Sequence, residues 1–282
     1  MTYLKEAKKI LEQEYAEKYA LAHTDYQKRF MNEKLKHSYQ VLGAGTYLLK
    51  HEPYFANCTK EEISYYQSIV LLHDICRFYE ILEKEKGHNI DHSVYGAKFL
   101  AKTKSFCKND ATLPIKHHGH LIEQLYQDRA YKKLPLQEQK NIEQIAFLVR
   151  DADKIANLYL LSNEFENMRR VFFVARHYTT PHHKTIYPKA LADFLAHRPI
   201  NKADIHSFAD HALLIMAWLY DINYNSSFIF LQKLNIIEKM FKLFSPYWRK
   251  KDITIFKQEI EKFIQIKKGR IIRPCHKIKE IL

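Results

Sequence analysis

Apolar residues recur at three- and four-residue spacing through most of the 282-residue chain, the period of an α-helix with one buried face. Residues 2–22 carry Leu4, Ala7, Ile10, Leu11 and Tyr15 on one stripe. A second helix is predicted from about Asn32 to Lys50. Thr59-Lys60-Glu61-Glu62 has the form of a capping box, in which the hydroxyl and a carboxylate three residues on exchange bonds with first-turn amides. It opens a helix predicted to run to about Lys84, stopped by Lys86-Gly87. Asp91 suits the N-cap of a helix reaching about Thr103, and Pro114 is expected in the first turn of another that Gly119 closes.

Residues 121–136 are polar and irregular, and a strong helical pattern follows from about Leu136 to Asn163. Beyond it, helices are predicted near 187–197, 202–223, 226–244 and 252–266. Pro181, Pro188, Pro199 and Pro246 punctuate them. The β-prone stretch Arg170–Val174 is too isolated to build a sheet. The expected fold class is all-α.

Composition narrows the function classes. Six glycines in 282 residues fall far below the usual ~7% and argue against folds rich in tight turns. Gly43 and Gly45 lack the rest of either nucleotide-binding fingerprint. Cys58, Cys76, Cys107 and Cys275 lie far apart, so neither a zinc ribbon nor a disulfide framework is implied. The opening residues mix both charge signs, and no apolar run approaches the ~18 residues of a membrane span. A reduced, cytoplasmic, soluble protein is therefore expected. Lys+Arg 45 against Asp+Glu 32 gives +13. The stretch Arg249–Leu282 holds 11 basic residues against four acids. Such a tail suits nucleic acid or an acidic membrane face; its alternative is a solvated basic helix.

His73 and Asp74 lie inside Ile69-Val70-Leu71-Leu72-His73-Asp74-Ile75, a segment apolar enough to be buried. A buried carboxylate costs several kcal/mol unless it has a strong partner. A divalent metal shared with His73 is one solution, and a hydrogen-bonded His–Asp pair bracing a helix crossing is another. His37 precedes this pair on an earlier helix, while His92, His117, His118 and Asp153 follow it. Imidazole and carboxylate are ligands suited to Mn, Fe, Co, Ni or Zn. Asp151 and Asp153 sit about 200° apart on a helix, and periodicity does not choose between them.

This order of motifs resembles the HD-domain metal-dependent phosphohydrolases, whose pattern is H…HD…D with extra histidines where a second metal is held. It reads here as Lys36-His37-Ser38, Leu71-Leu72-His73-Asp74-Ile75-Cys76-Arg77-Phe78, Asp91-His92, Ile115-Lys116-His117-His118 and Asp151-Ala152-Asp153-Lys154. The resemblance covers about residues 30–165. It implies an HD-type helical bundle over 1–165. Residues from about 166 onward match no named pattern, and their periodicity makes 166–282 a helical C-terminal extension expected to pack on that bundle and basic at its end.

By position, the resemblance assigns His37, His73, Asp74 and Asp153 to a first metal, with Asp74 bridging to a second served by His92, His117 and His118. The cofactor is then one or two divalent ions, with Mg added to the candidates above. The family pattern chooses Asp153 over Asp151, which becomes a supporting or surface acid. Glu33, one turn before His37, is where some cyclic-dinucleotide phosphodiesterases hold a third metal. Cys76 stands where glycine is common, and His117-His118-Gly119-His120 lacks the cyclic-di-GMP signature. Asn157 follows Asp153 as in alarmone hydrolases, without their companion motifs.

The implied activity is metal-assisted hydrolysis of a phosphate ester in a nucleotide or other small phosphorylated metabolite. Asp74 would orient the metals and take a proton from the attacking water. Arg77 and Lys154 would stabilise developing charge. Two other classes share these features: a nuclease or nucleic-acid binder using the basic tail, and a silent HD module that senses a ligand.

Overall fold

Two capping boxes decide where the first long helices begin. The computed structural model describes residues 2–164 and 184–271. Helix α1 spans Tyr3–Ala20. Thr24 Oγ1 then accepts from the Gln27 amide at 3.1 Å while the Gln27 side chain accepts from the Thr24 amide at 3.2 Å. This start signal places α2 at Asp25–His51, well ahead of the expected Asn32. Thr59 and Glu62 form the second box and open α3, Lys60–Leu71.

The predicted single helix from Thr59 to Lys84 is two helices, α3 and α4 (Arg77–Glu85). Between them the chain tightens: Ile75 N donates to Leu72 O at 3.1 Å and Arg77 N to Asp74 O at 2.8 Å. Leu72 and Cys76 adopt ψ values of 5° and 8°, in the sparsely allowed region near ψ zero. Cys76 there has φ −91°, so no glycine is required. Gly87, at φ 80°, stops α4 as the sequence predicts.

Asp91 caps α5 (His92–Leu100) by accepting from the Ser93 and Val94 amides. Helix α6 spans Asn109–His117, so Pro114 falls in its interior rather than its first turn. Short helices α7 (Glu123–Gln127) and α8 (Arg129–Lys132) occupy the region expected to be irregular. Leu113, Leu125, Tyr131, Ile142 and Ala146 form a small buried cluster there. The predicted helix from Leu136 to Asn163 is α9. Helix α3 packs on α1 and α2, and α5 packs on α6.

The chain divides into two compact units, Met1–Asn157 and Leu158–Leu282, with the boundary inside α9. The second unit contains α10 (Pro188–Leu195), α11 (Phe208–Ala217), α12 (Asn225–Lys233), α13 (Ile236–Phe244) and α14 (Lys250–Ile271). Asn235 takes a left-handed conformation, φ 53° and ψ 31°, and splits the helix predicted over 226–244. Buried Phe194, Phe256, Trp248 and Phe244 follow one another at ring separations of 5.0–5.7 Å. Part of the basic charge on α14 is paired within the unit, Lys257 with Glu238 at 3.1 Å and Lys262 with Glu259 at 3.8 Å. The described residues contain no strand, and the fold is all-α. Arg170–Val174, His177, Pro181, His182, His183 and the end of the basic tail from 272 onward lie outside the described residues. No described helix is long and apolar enough to cross a membrane.

Close approach of α2 and α3 depends on Gly45. A Cβ there would lie 2.7 Å from Val70 Cγ1, and a buried valine has little rotamer freedom to yield. Overpacking of this kind costs about 1–3 kcal/mol against a helix-propensity gain of about 1 kcal/mol. Gly45→Ala is expected to lower stability in urea unfolding and to cost much less in a Val70→Ala background. Equal cost in both backgrounds would disprove the contact.

Candidate metal centre

Four separate parts of the first unit deliver side chains to one place. Helix α2 carries His37, the tight turn after α3 carries His73 and Asp74, the end of α6 carries His118, and α9 carries Asp153. Adjacent residues on a regular helix diverge by about 100°. Breaking the helix at Leu72–Cys76 lets His73 and Asp74 face the same point, with His73 Nε2 3.7 Å from Asp74 Oδ2. His73 Nε2 is also 3.7 Å from Asp153 Oδ1, and His37 Nε2 lies 2.9 Å from that same oxygen. His118 Nε2 is 3.3 Å from Asp74 Oδ1. Asn157, one turn beyond Asp153, donates to Asp153 Oδ1 at 2.8 Å.

The tautomers follow from the backbone. His73 Nδ1 lies 2.9 Å from Val70 O, and His118 Nδ1 lies 2.7 Å from Ile115 O. A carbonyl only accepts, so both rings carry their proton on Nδ1 and turn an Nε2 lone pair toward carboxylate oxygens. Lone pairs facing carboxylates at such distances repel unless a cation lies between them. His73 Nε2 and Asp74 Oδ1 are both buried without a hydrogen-bond partner. A divalent cation fits this donor set, because imidazole Nε2 with its Nδ1–H bonded to a carbonyl is the usual form of a metal-ligating histidine. Two overlapping ligand groups result: His37, His73 and Asp153, and His73, Asp74 and His118.

Electrostatics keep the donors in ligand form. Burial pushes His73 down to about 4, outweighing the pull of Asp74 and Asp153. Burial would raise the Asp74 carboxyl, yet Arg77 and Lys34 outweigh it and hold Asp74 well below the usual carboxylate range. Asp153 is likewise held below the usual carboxylate range, its neighbours His37 and His73 outweighing burial. Neutral imidazoles and ionised carboxylates are what a divalent cation binds.

Other expected residues fall differently. His117 does not join the cluster. Its Nε2 lies 2.9 Å from Asp128 Oδ2, which also takes Lys116 Nζ at 2.7 Å. Asp128 is the N-cap of α8, so His117 is tied to the following turn rather than to the centre. His92 Nε2 is 3.2 Å from Asp74 Oδ1, but it also lies 2.7 Å from Arg77 Nη2. Arg77 Nε approaches Asp74 Oδ2 at 3.4 Å, and its Nη1 donates to Glu80 Oε2 at 2.6 Å. Lys154 stands half-buried beside Asp153 on α9, and Asp151 is fully buried rather than at the surface. Glu33 makes no hydrogen bond or ion pair with the cluster.

Three residues were not foreseen in these roles. Lys34 Nζ reaches Asp74 Oδ2 at 3.4 Å, a contact announced by its position one turn before His37. Glu80 sits one turn beyond Arg77 and lies 3.5 Å from His92 Nδ1. Arg150 is buried on α9, and its Nη1 donates to the carbonyls of His117, His118 and His120. It thereby ties down the chain end that bears His118. A cleft of about 460 Å³ lined by Cys107, Lys108, Asp110, Glu138 and Asn141 shares no residue with the cluster.

Compared with known proteins, residues 35–158 match the family described as HD domain. No curated protein and no solved structure matches the chain.

Asp153→Asn is expected to abolish Mn²⁺ binding in calorimetric titration. Asn157→Ala should weaken it about tenfold, the usual effect of removing a residue that orients a ligand. Asp151→Asn should lower the unfolding midpoint and keep the ion. Loss of binding in Asp151→Asn with retention in Asp153→Asn would reverse the choice of ligand.

Proposed function

Through residues 35–158 the chain belongs to the HD-domain metal-dependent phosphohydrolase superfamily, and from that premise we propose that it hydrolyses a phosphate ester of a nucleotide or another small phosphorylated metabolite. One observation carries the reading: the buried, unbonded His73 Nε2 and Asp74 Oδ1, set among His37, His118 and Asp153. A divalent ion held by one of the two ligand groups that share His73 (His37 and Asp153 on one side, Asp74 and His118 on the other) would supply Lewis acidity for in-line attack by water on phosphorus.

The chain's own groups account for the rest. Asp74, held well below the usual carboxylate range by Arg77 and Lys34, stays ionised to bind and orient the ion and the attacking water. Arg77 uses Nε, Nη1 and Nη2 toward Asp74, Glu80 and His92. A guanidinium carries five N–H donors, so two remain for phosphoryl oxygens. Lys34, beside Asp74, adds a second fixed positive charge, and Lys154, the residue after Asp153 on α9, is proposed as a third. Preorganised cations of this kind act where charge develops in the transition state. They also favour small anionic substrates over neutral ones.

The test is elemental analysis of the purified protein beside Asp74→Ala, with both assayed with Mn²⁺ against mononucleotides, cyclic nucleotides and a generic phosphodiester. Wild type is expected to carry metal and hydrolyse at least one of these. Asp74→Ala should lose both while keeping its helical circular-dichroism signal. Hydrolysis by metal-free Asp74→Ala would overturn the reading, as would a metal-free, inactive wild type.

A further inference from the structure

The family pattern leaves the number of ions open, and the geometry around Arg77 bears on it: His92 Nε2 lies 3.2 Å from Asp74 Oδ1 but closer still to Arg77. Arg77 Nη2 is 2.7 Å from His92 Nε2. Since a guanidinium only donates, that contact requires His92 to spend its Nε2 lone pair on Arg77. The remaining ring nitrogen, Nδ1, then carries the proton and faces Glu80 Oε2 at 3.5 Å. Glu80 Oε2 also accepts from Arg77 Nη1 at 2.6 Å, and Arg77 Nε lies 3.4 Å from Asp74 Oδ2. One carboxylate thus braces both the guanidinium and the imidazole.

A second ion would draw its ligands from Asp74, His92, His117 and His118. His117 is bonded to Asp128, and His92 is engaged by Arg77. His118 and Asp74 already share a ligand group with His73. Even an open catalytic zinc site keeps three protein ligands. An ion in this position would also lie against a guanidinium that cannot shed its charge.

We infer that the centre takes a single divalent ion, and that the Arg77 guanidinium, braced by Glu80, stands in the place of a second. The inference rests on the metal-centre reading above. The chain retains most of the residues of a two-ion pattern but uses a fixed side-chain cation for the second positive charge. Arg77 then contacts the phosphoryl group directly, and Glu80 is a positioning residue acting through it.

The experiment counts ions. Elemental analysis and Mn²⁺ titration calorimetry of wild type should give one ion per chain even with Mn²⁺ in large excess. Arg77→Ala frees His92 Nε2, and its count should rise toward two; Arg77→Gln serves if the alanine variant does not fold. Glu80→Ala should raise KM for a hydrolysed phosphoester about tenfold with a smaller change in kcat, and Glu80→Asp should recover part of the loss. Two ions in active wild type would overturn the inference and leave the phosphohydrolase reading standing, and so would a count that stays at one in both Arg77 variants. No ion in wild type would overturn both. One ion with no hydrolysis of any phosphoester would remove the phosphohydrolase reading and leave the ion count intact.

Discussion

Asp74 is buried, carries no hydrogen bond on Oδ1, and faces imidazole nitrogens whose lone pairs point back at it. Taking a carboxylate out of water costs several kcal/mol per ion after relaxation, and opposing lone pairs add to that cost. Lys34 and Arg77 offset the negative charge, but neither separates His73 Nε2 or His118 Nε2 from the carboxylates they face. A divalent cation placed among them does so. Most of what is unusual in the first unit brings those groups together: the broken helix at Leu72–Cys76, the long α2 that carries both Lys34 and His37, and Arg150 holding the end of α6.

Helix ends do much of this work. His73 and His118 each bond Nδ1 to the carbonyl three residues earlier, at points where the helix has stopped or is stopping. A carbonyl at a helix end lacks the regular amide four residues on and has a lone pair to spare, so it can fix an imidazole even where, as at Ile115, it also takes a long 3.5 Å bond from the His118 amide. The same interaction therefore satisfies the helix end and selects the tautomer that leaves Nε2 open. Arg150 applies the logic again, placing one buried guanidinium on three carbonyls around His118. A mid-helix histidine would have no such free carbonyl to lock its ring.

The helices were legible in the sequence where periodicity and capping agreed, as in α1, α5 and α9. They were misread where a local contact overrode the pattern. The apolar run from Ile69 to Ile75 reads as continuous helix because every position is buried, and burial says nothing of the turn inside it. The start of α2 was missed although Thr24 and Gln27 have the spacing of a capping box, because the apolar pattern there becomes regular only further along the chain. In the site, motif order placed His37, His73, Asp74, His118 and Asp153 together. It misplaced His117 because two adjacent histidines look alike in sequence while only one faces the cluster, and Asp128, which takes the other, carries no signal of its own. Lys34 and Glu80 passed as ordinary helix-surface charges, since spacing does not distinguish a solvated side chain from one that reaches inward.

On the single-ion inference, His92 separates ligand identity in a sequence from ligand availability in a fold. An imidazole binds a metal only through a nitrogen whose lone pair is unspent, and that depends on what its neighbours donate. Arg77 lies one turn after Asp74 and Glu80 one turn after Arg77, so a single face of α4 presents cation and anion in sequence toward α5. His92, the first residue of α5, meets both. Glu80 holds the guanidinium where it consumes the His92 lone pair, and Asp74 gains a fixed positive neighbour in the same step. Replacing an exchangeable ion by a covalently anchored one removes its dependence on metal supply. It also limits the charge there to +1, and a guanidinium cannot activate water. On the proposed reading, water activation falls to the His37–His73–Asp153 side and phosphoryl charge to the Arg77 side.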